Sequence, residues 1–396
     1  MSRGYSQSLR IALVCDWLTN VGGAEKVLLA LHELYPDAPI YTSQYNKKGI
    51  DWFDDADVRT GWMQILPSRM RRFFAPLRCI YFKHLDLSDY DLIISVTGAE
   101  AKGIKKGNAR HLCYCHVPTQ YYWQMYDEYV KNPGFGILNP IVRFFFKLLI
   151  KPLRRADFKA AQKPDQFITI STYAAEQIKK YYKRESVIIA PPVSVNNFYN
   201  TKKGKSQTIQ NNKTKKSQQQ VFHQPVENSQ TIKPYITTSR QVTWKRLDLA
   251  VKACLALERP LTIIGDGPEH KNLVKLANHS PLIEFVPTSN QKTLKKYLEN
   301  SRAFIFPSIE PFGIAPVEAL ATGCPVIAFN RGGSLDFIED GKNGIFFKKQ
   351  SANSLTEAIE KFEKLSLDPQ KIADSSLPFS EENFKTKIKA IINEQN

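Results

Sequence analysis

The sequence predicts an α/β protein of two successive domains, each built on a doubly wound parallel sheet. Three observations predict it. The chain has 396 residues, beyond the length at which a single core keeps growing. Short β-rich apolar runs alternate with helical stretches, and the same rhythm restarts after Lys233. The runs are continuously apolar rather than alternating, as strands buried on both faces require.

In the first half the strands are "LRIALVC" (9–15), "YDLIISV" (90–96), "RHLCYC" (110–115), "DQFITI" (165–170) and "SVIIA" (186–190). Helical stretches over 24–34 and 173–182 separate some of them. The second half contributes "PYITT", "PLTIIG", "LIEFV", "RAFIF", "PVIAF" and "NGIFF", with helices in "KRLDLAVKACLAL" and "SANSLTEAIEKF". Domains over 1–199 and 234–396 follow, the last helix being free to return to the first domain. Between them, 200–233 is rich in Gln, Asn, Ser and Lys, with Glu227 its only acid. Too few apolar residues are present to offset ordering, so it reads as a basic, low-complexity linker or insertion.

Lys and Arg total 55 against 38 Asp and Glu, a net charge of +17. That excess implies an anionic partner: nucleic acid, acidic lipid or phosphorylated substrate. The 200–233 stretch lacks the aromatic interleaving of a nucleic-acid platform, so no specific nucleic acid is expected. The segment 134–161 mixes Phe, Leu and Ile with Arg143, Lys147, Lys151, Arg154 and Arg155. One helix with apolar and basic faces suits an anionic membrane surface, and equally suits packing on the sheet with its basic side wet. The stretch 70–78, "MRRFFAPLR", has the same flavour.

Six cysteines lie scattered, mostly inside apolar runs, with no C-x-x-C pair; they read as buried thiols of a reducing compartment. The N-terminal apolar run is too short for a signal sequence, and no run of about eighteen apolar residues predicts a membrane span. A cytoplasmic location, with peripheral attachment to the inner face of the membrane, is the expectation.

Four constellations carry chemistry. In "DWLTNVGGAEKVLLAL" the pair Gly22 and Gly23 lies between strand and helix, where backbone amides can approach an anion. It is not G-x-G-x-x-G, so a nicotinamide site has little support. In "TTSRQVTWKRLDLA", Arg240 and Lys245 stand at a helix entrance and could clamp a diphosphate without a metal. In "SIEPFGIAPVEALATGCPVIAFNRGG", Pro316 suits a first helical turn, with the amides of Gly313, Ile314 and Ala315 at its positive end. Glu318 is expected in that first turn, reaching ribose hydroxyls, and Glu310 on the strand-exit loop. A single glutamate there would merely complement the helix dipole. The pair, with the glycine turn, favours a ligand. In "YCHVPTQYYWQMYDEY", His116 is either a satisfied loop histidine or a donor to substrate, and the aromatics Tyr121, Tyr122, Trp123 and Tyr126 read more as packing than as a sugar platform.

"DDAD" (54–57) reads as a solvated loop rather than a metal site. "GDGP" (265–268) makes the next helix turn, with Asp266 near the nucleotide.

These segments, colinear over nearly the whole chain except the linker, resemble retaining glycosyltransferases of the GT-B fold, family 4, and in particular bacterial mannosyltransferases of surface-glycan synthesis. The resemblance implies two Rossmann-like domains facing a central cleft. It implies a nucleotide-sugar donor such as GDP-mannose or a UDP-hexose, no cofactor and no metal. It assigns Arg240 and Lys245 to the diphosphate with Gly23, Gly313, Ile314 and Ala315 close by, Glu318 and Asp266 to the ribose and nucleotide, Glu310 to the transferred sugar and His116 to the sugar from the acceptor side. Gly22, Gln120 and Trp123 fall on the acceptor side, with a glycan or polyprenyl-linked acceptor. Departures fall mostly on that side: Gln120 and Gln124 stand where relatives often carry Arg and Asp. Ile309 and Pro311 flank Glu310 where many relatives have an acidic pair.

Two rival classes remain. A non-catalytic protein that binds anionic surfaces would explain the charge but has no use for two glutamates facing one crevice. A GT-B sugar-nucleotide epimerase would turn over donor without acceptor, and a phosphorylase would need a cofactor lysine that the sequence does not reveal.

Overall fold

The computed structural model describes residues 9–68, 74–131, 133, 136–199, 233–288 and 290–394. The expected linker, apart from Lys233, and the start of the 70–78 stretch lie outside these residues.

The first sheet comprises β1 (Ile11–Cys15), β2 (Ile40–Thr42), β3 (Val58–Arg59), β4 (Leu92–Thr97), β5 (Arg110–Cys115), β6 (Gln166–Thr169) and β7 (Ser186–Ile188). Its order is β3-β2-β1-β4-β5-β6-β7, and every pairing is parallel. The second comprises β8 (Tyr235–Thr238), β9 (Leu261–Ile264), β10 (Ile283–Val286), β11 (Phe304–Phe306), β12 (Val326–Phe329) and β13 (Gly344–Phe347). Its order, β10-β9-β8-β11-β12-β13, repeats the first. All eleven strands expected from sequence are present. β2 and β3 are additional: with three and two residues they are too short to leave a periodic signature.

Both sheets reverse their winding at a switch point, between β1 and β4 and between β8 and β11. In such sheets the crevice outside the carboxyl ends at that point is where ligands bind. The segments leaving β1, β8 and β11 hold Gly22, Gly23, Arg240, Lys245 and Glu310, whereas His116 and Gln120 follow β5 and Asp266 follows β9.

Helices cover both faces by the expected periodicity. The helix Ala352–Phe362 buries Leu355, Ala358, Ile359 and Phe362, an i, i+3, i+4, i+7 stripe, each worth roughly 1.5–3 kcal/mol when it is a large side chain. The last helix, Glu381–Asn393, crosses back to the first domain. Phe384 packs on Tyr114 at 5.8 Å, and the Arg110 guanidinium donates to the carbonyls of Ile391 (3.0 Å) and Ile392 (3.1 Å). Those carbonyls belong to the last turn of the helix and have no partner within it.

The basic amphipathic segment forms the helix Asn139–Ala160. Its two faces are not those expected. Arg143 turns inward and donates to the carbonyls of Val130 and Lys131, and Arg154 donates to Tyr122 and lies over the rings of Trp123 and Tyr126. Lys147, Lys151 and Arg155 face out, beside exposed Ile141, Phe144, Phe145 and Leu148. The helix is pinned from beneath by Asp157, which pairs with Lys102 at 2.6 Å with both side chains 1% exposed. Asp157 also accepts from Thr119 Oγ1 (2.9 Å), Trp123 Nε1 (2.7 Å) and Tyr182 OH (2.8 Å). Among the described residues no helix is long and apolar enough to cross a membrane.

Candidate active site

The helix Gly23–Leu34 follows β1 and the helix Ile314–Ala321 follows β11. Elsewhere Ser171, Asn290, Ser351, Asp368 and Ser380 cap helices with their side chains. The two helices at the cleft instead have glycine N-caps, Gly22 and Gly313, and no side-chain cap. Their first amides are therefore not taken by an N-cap oxygen, and the positive ends of both helices reach the cleft. Gly313 adopts φ +132°, a conformation open to glycine and strained for other residues. Gly23 is close to the opposing domain: a Cβ there would lie 3.1 Å from Ile314 Cδ1.

The two glutamates are each matched by a lysine. Glu310 Oε1 pairs with Lys245 Nζ and accepts from Ser308 Oγ at 2.7 Å. Glu318 Oε1 meets Lys26 Nζ at 3.4 Å, and Lys26 comes from the first domain. Glu318 is the fifth residue of its helix, so it lies in the second turn rather than the first, and is buried there. It cannot be there merely to complement the dipole, which acts within the first turn.

Lys245 closes the 3-10 turn Thr243–Lys245, and Arg240 precedes it with its guanidinium carbon 5.7 Å over the Trp244 ring. The neighbouring Arg246 is occupied otherwise, pairing with Asp248 at 3.0 Å. Arg240 also lines a cavity of about 450 Å³. Among its described lining residues Arg240 alone belongs to the second domain; the rest, including Asp16, Glu25, Arg78, His116, Gln120 and Tyr121, belong to the first. The cavity thus reaches from the interior of the first domain to the cleft.

His116 follows β5 and lines this cavity. Its Nε2 is buried with no hydrogen-bond partner among the described residues, and burial pushes the imidazole down to about 4. A neutral ring at the cavity wall can donate to or accept from a polar group held there. Gln120 lines the same cavity. Trp123, expected beside it on the acceptor side, is not among the lining residues: its indole N–H goes to Asp157 and its ring stacks on Tyr181 at 5.1 Å. Asp266 lies exposed, its carboxylate accepting from the Gly267 amide at 2.6 Å, so it shapes the turn before the helix His270–Ala277.

Several lining residues were not singled out from the sequence. Asp16 directly follows β1, a position where a carboxylate is itself a signal. Its oxygens are taken by Thr97 Oγ1 and by the amides of Gly98 (2.9 Å) and Ala101 (2.8 Å), so it ties the loop after β4 to β1; burial raises its pKa. Arg78 pairs with Glu100 at 2.9 Å, both 2% exposed, and lies 4.9 Å over Trp17. Lys26, which pairs with Glu318 and is not among the lining residues, carries no local pattern that could have marked it. Among the described residues no three His, Cys, Asp or Glu side chains are placed to hold a metal ion.

Residues 219–376 match the family model of glycosyl transferases group 1. Over almost the whole chain the structure superposes on Anabaena HepE solved with UDP and glucose, with a TM-score of 0.64, 16% identity, and 97% of this chain and 99% of that one covered. The fold is GT-B. Within this GT-B chain, a stretch of 120 residues is 32% identical to the human alpha-1,3/1,6-mannosyltransferase ALG2, covering 30% of the chain and 28% of that protein. The mouse ALG2 aligns over 388 residues at 23% identity, with 86% and 85% covered. The chain thus spans less than a third of the human relative at the higher identity.

Proposed function

We propose that this GT-B protein is a retaining glycosyltransferase that moves a hexose from a nucleotide-diphosphate sugar to a glycan or lipid-linked acceptor. The observation that carries the reading is the pair Glu310 and Glu318. Glu310 precedes and Glu318 lies within one glycine-capped helix at a switch point, each opposed by a lysine, beside Arg240 and a cavity that opens from the other domain. Sugar hydroxyls need acceptors and a diphosphate needs donors, and the cleft supplies both within one crevice. The UDP and glucose named for the HepE structure and the mannosyltransferase named for ALG2 support a nucleotide-sugar donor, with mannose slightly favoured.

In this reading Glu318 accepts from ribose hydroxyls and Glu310 from the transferred sugar. Arg240, Lys245 and the amides of Gly23, Gly313, Ile314 and Ala315 hold the diphosphate and stabilise its charge as it leaves, a task that fixed cations perform without a metal. The acceptor hydroxyl oxygen bonds to the anomeric carbon on the face from which the diphosphate departs, and a departing phosphate oxygen takes its proton. Neutral His116 contacts the sugar from the cavity side, and the two apposed domains exclude water that would otherwise hydrolyse the donor.

The outward face of the helix Asn139–Ala160 supports a membrane-borne acceptor. Val142 and Phe146 of that helix line the cavity while Phe144, Phe145 and Leu148 are exposed next to Lys147 and Lys151. Apolar side chains rimmed by lysines fit the headgroup region of an anionic leaflet, from the cytoplasmic side.

The test is a thermal-shift panel of GDP-mannose, UDP-glucose, UDP-GlcNAc, UDP and GDP against wild type and Glu318→Ala. One nucleotide sugar should stabilise the wild type selectively, and the variant much less. Equal shifts in both proteins would remove Glu318 from the nucleotide site. No shift with any of the five would favour the rival reading, an anionic-surface binding protein on this fold.

A further inference from the structure

The loop that carries Glu310 is held by both domains at once. On its own side, the Gly333 amide donates to the Glu310 carbonyl at 2.8 Å. A Cβ at Gly333 would come within 2.4 Å of the Phe312 Cα and the Pro311 carbonyl, so this segment presses directly on the loop. From the first domain, the Ser171 hydroxyl donates to the Pro311 carbonyl. Asp336, a few residues after Gly333, reaches back the other way: its Oδ2 accepts from the Thr172 amide at 2.7 Å.

Ser171 and Thr172 open the helix Thr172–Tyr182. Its free amides are divided between two sources: the Ser171 hydroxyl takes the Ala174 amide at 3.0 Å, and the carboxylate of the other domain takes Thr172. A helix N-terminus stabilised by a distant carboxylate is complete only while the two domains are apposed. Separation would leave the Thr172 amide, the Asp336 charge and the Pro311 carbonyl to water together.

We propose that Ser171 and Asp336 form a clasp between the domains that sets the position of Glu310, and that they are positioning residues for the transfer proposed above, on which this inference rests. The carbonyls of Glu310 and Pro311, one residue apart, are fixed by opposite domains, and the proline ring fixes the torsion between them. The peptide from which the Glu310 side chain springs therefore has one orientation while the clasp is closed. Apposition of the domains and placement of the carboxylate become one event. Neither Ser171 nor Asp336 lines the cavity or belongs to the cationic group around Glu310.

The experiment uses the full chain with UDP-glucose and GDP-mannose as donor probes and a polyprenyl-linked saccharide as acceptor probe, following acceptor-dependent release of UDP and GDP. Ser171→Ala and Asp336→Ala should lower kcat by about tenfold to a hundredfold, since misplacing a reacting group by about an ångström has that effect. KM should stay within about twofold, because donor contacts are untouched. Ser171→Thr and Asp336→Asn, which keep a hydroxyl and an acceptor oxygen, should restore most of the rate. Hydrogen exchange on the same proteins should show the Gly333 amide, which donates to the Glu310 carbonyl, exchanging at least about tenfold faster in the alanine variants. Wild-type kcat in the alanine variants, or a loss that the conservative variants share, overturns the clasp. If the wild type consumes neither donor probe, the transfer reading is what fails. Hydrogen exchange then decides the clasp alone: unchanged protection of the Gly333 amide overturns it, and lost protection sustains it.

Discussion

Lys26 Nζ lies 3.4 Å from Glu318 Oε1, although the two residues stand 292 positions apart and on helices of opposite domains. The pair is mostly enclosed, with 22% of the lysine and 10% of the glutamate side chain exposed. It neutralises a carboxylate that would otherwise repel a diphosphate. Lys26→Ala should weaken UDP or GDP binding by about tenfold, and Lys26→Glu by more, because two like charges would then face each other. Titration calorimetry reads this directly. Unchanged affinity in Lys26→Glu would show that the pair does not bear on the nucleotide.

Gly23 and Ile314 are a second meeting point of the same helices, with 3.1 Å between an added Cβ and Ile314 Cδ1. Gly23→Val should destabilise the apposed domains by about 1–3 kcal/mol through overpacking. Ile314→Ala should relieve much of that, so the double variant should melt above the sum of the single effects. Strict additivity would place the two residues out of contact in solution.

His116 has its pKa depressed by burial to about 4, below the ordinary 6.5, and His111 is pushed by burial to about 3. The unfolded chain therefore takes up protons below about pH 6.5 that the folded chain refuses. The stability these residues contribute is full above that value and is lost as pH falls towards their folded pKa values. Urea unfolding along a descending pH series should show this decline, and His116→Gln should make it shallower. A chain that grew more stable over the same interval would contradict the burial of these rings.

Asp157 holds the helix Asn139–Ala160 to the turn Ala101–Gly103, the loop after β5 and the helix Thr172–Tyr182 through Lys102, Thr119, Trp123 and Tyr182. Asp157→Ala strands a buried lysine and should cost about 3–5 kcal/mol. Adding Lys102→Met should recover part of the loss by removing the unpaired charge. Chemical denaturation of the three variants gives the comparison; a small loss in Asp157→Ala would mean that water reaches Lys102.

Membrane association should depend on Lys147, Lys151 and Arg155 rather than on the inward-turned Arg143 and Arg154. Reversing the three outward charges removes at least about 1 kcal/mol each near an anionic surface, or over a hundredfold together. Sedimentation with phosphatidylglycerol vesicles, against phosphatidylcholine vesicles as control, should show it. Equal sedimentation of the triple Glu variant and wild type would rule the surface out.

Much of the fold was legible because it is written locally. The long apolar runs of β4 and β5 need both faces covered, and that alone implies parallel strands under helices. β2 and β3 were not legible, since a strand of two or three residues takes its conformation from the neighbour it pairs with. The positions of Arg240 after β8 and of Glu310 and Gly313 after β11 followed from the local apolar runs and glycine turn. Trp123 was not: an aromatic in a cluster gives no hint whether its N–H points to a ligand or, as here, to Asp157. Arg143 likewise looked like part of a basic face until the carbonyls of Val130 and Lys131 drew it inward.

Two doubly wound sheets and the residue types gathered at their carboxyl ends are written in the chain's local patterns, because periodicity, glycine turns and helix starts are properties of neighbouring residues. It takes the packed domains to show that Lys26 answers Glu318, that Arg240 lines a cavity of the other domain, and that Asp336 caps the helix after Ser171. Those partnerships join residues far apart in the chain. No local pattern encodes them, and they arise only when the packed domains bring their strand ends face to face.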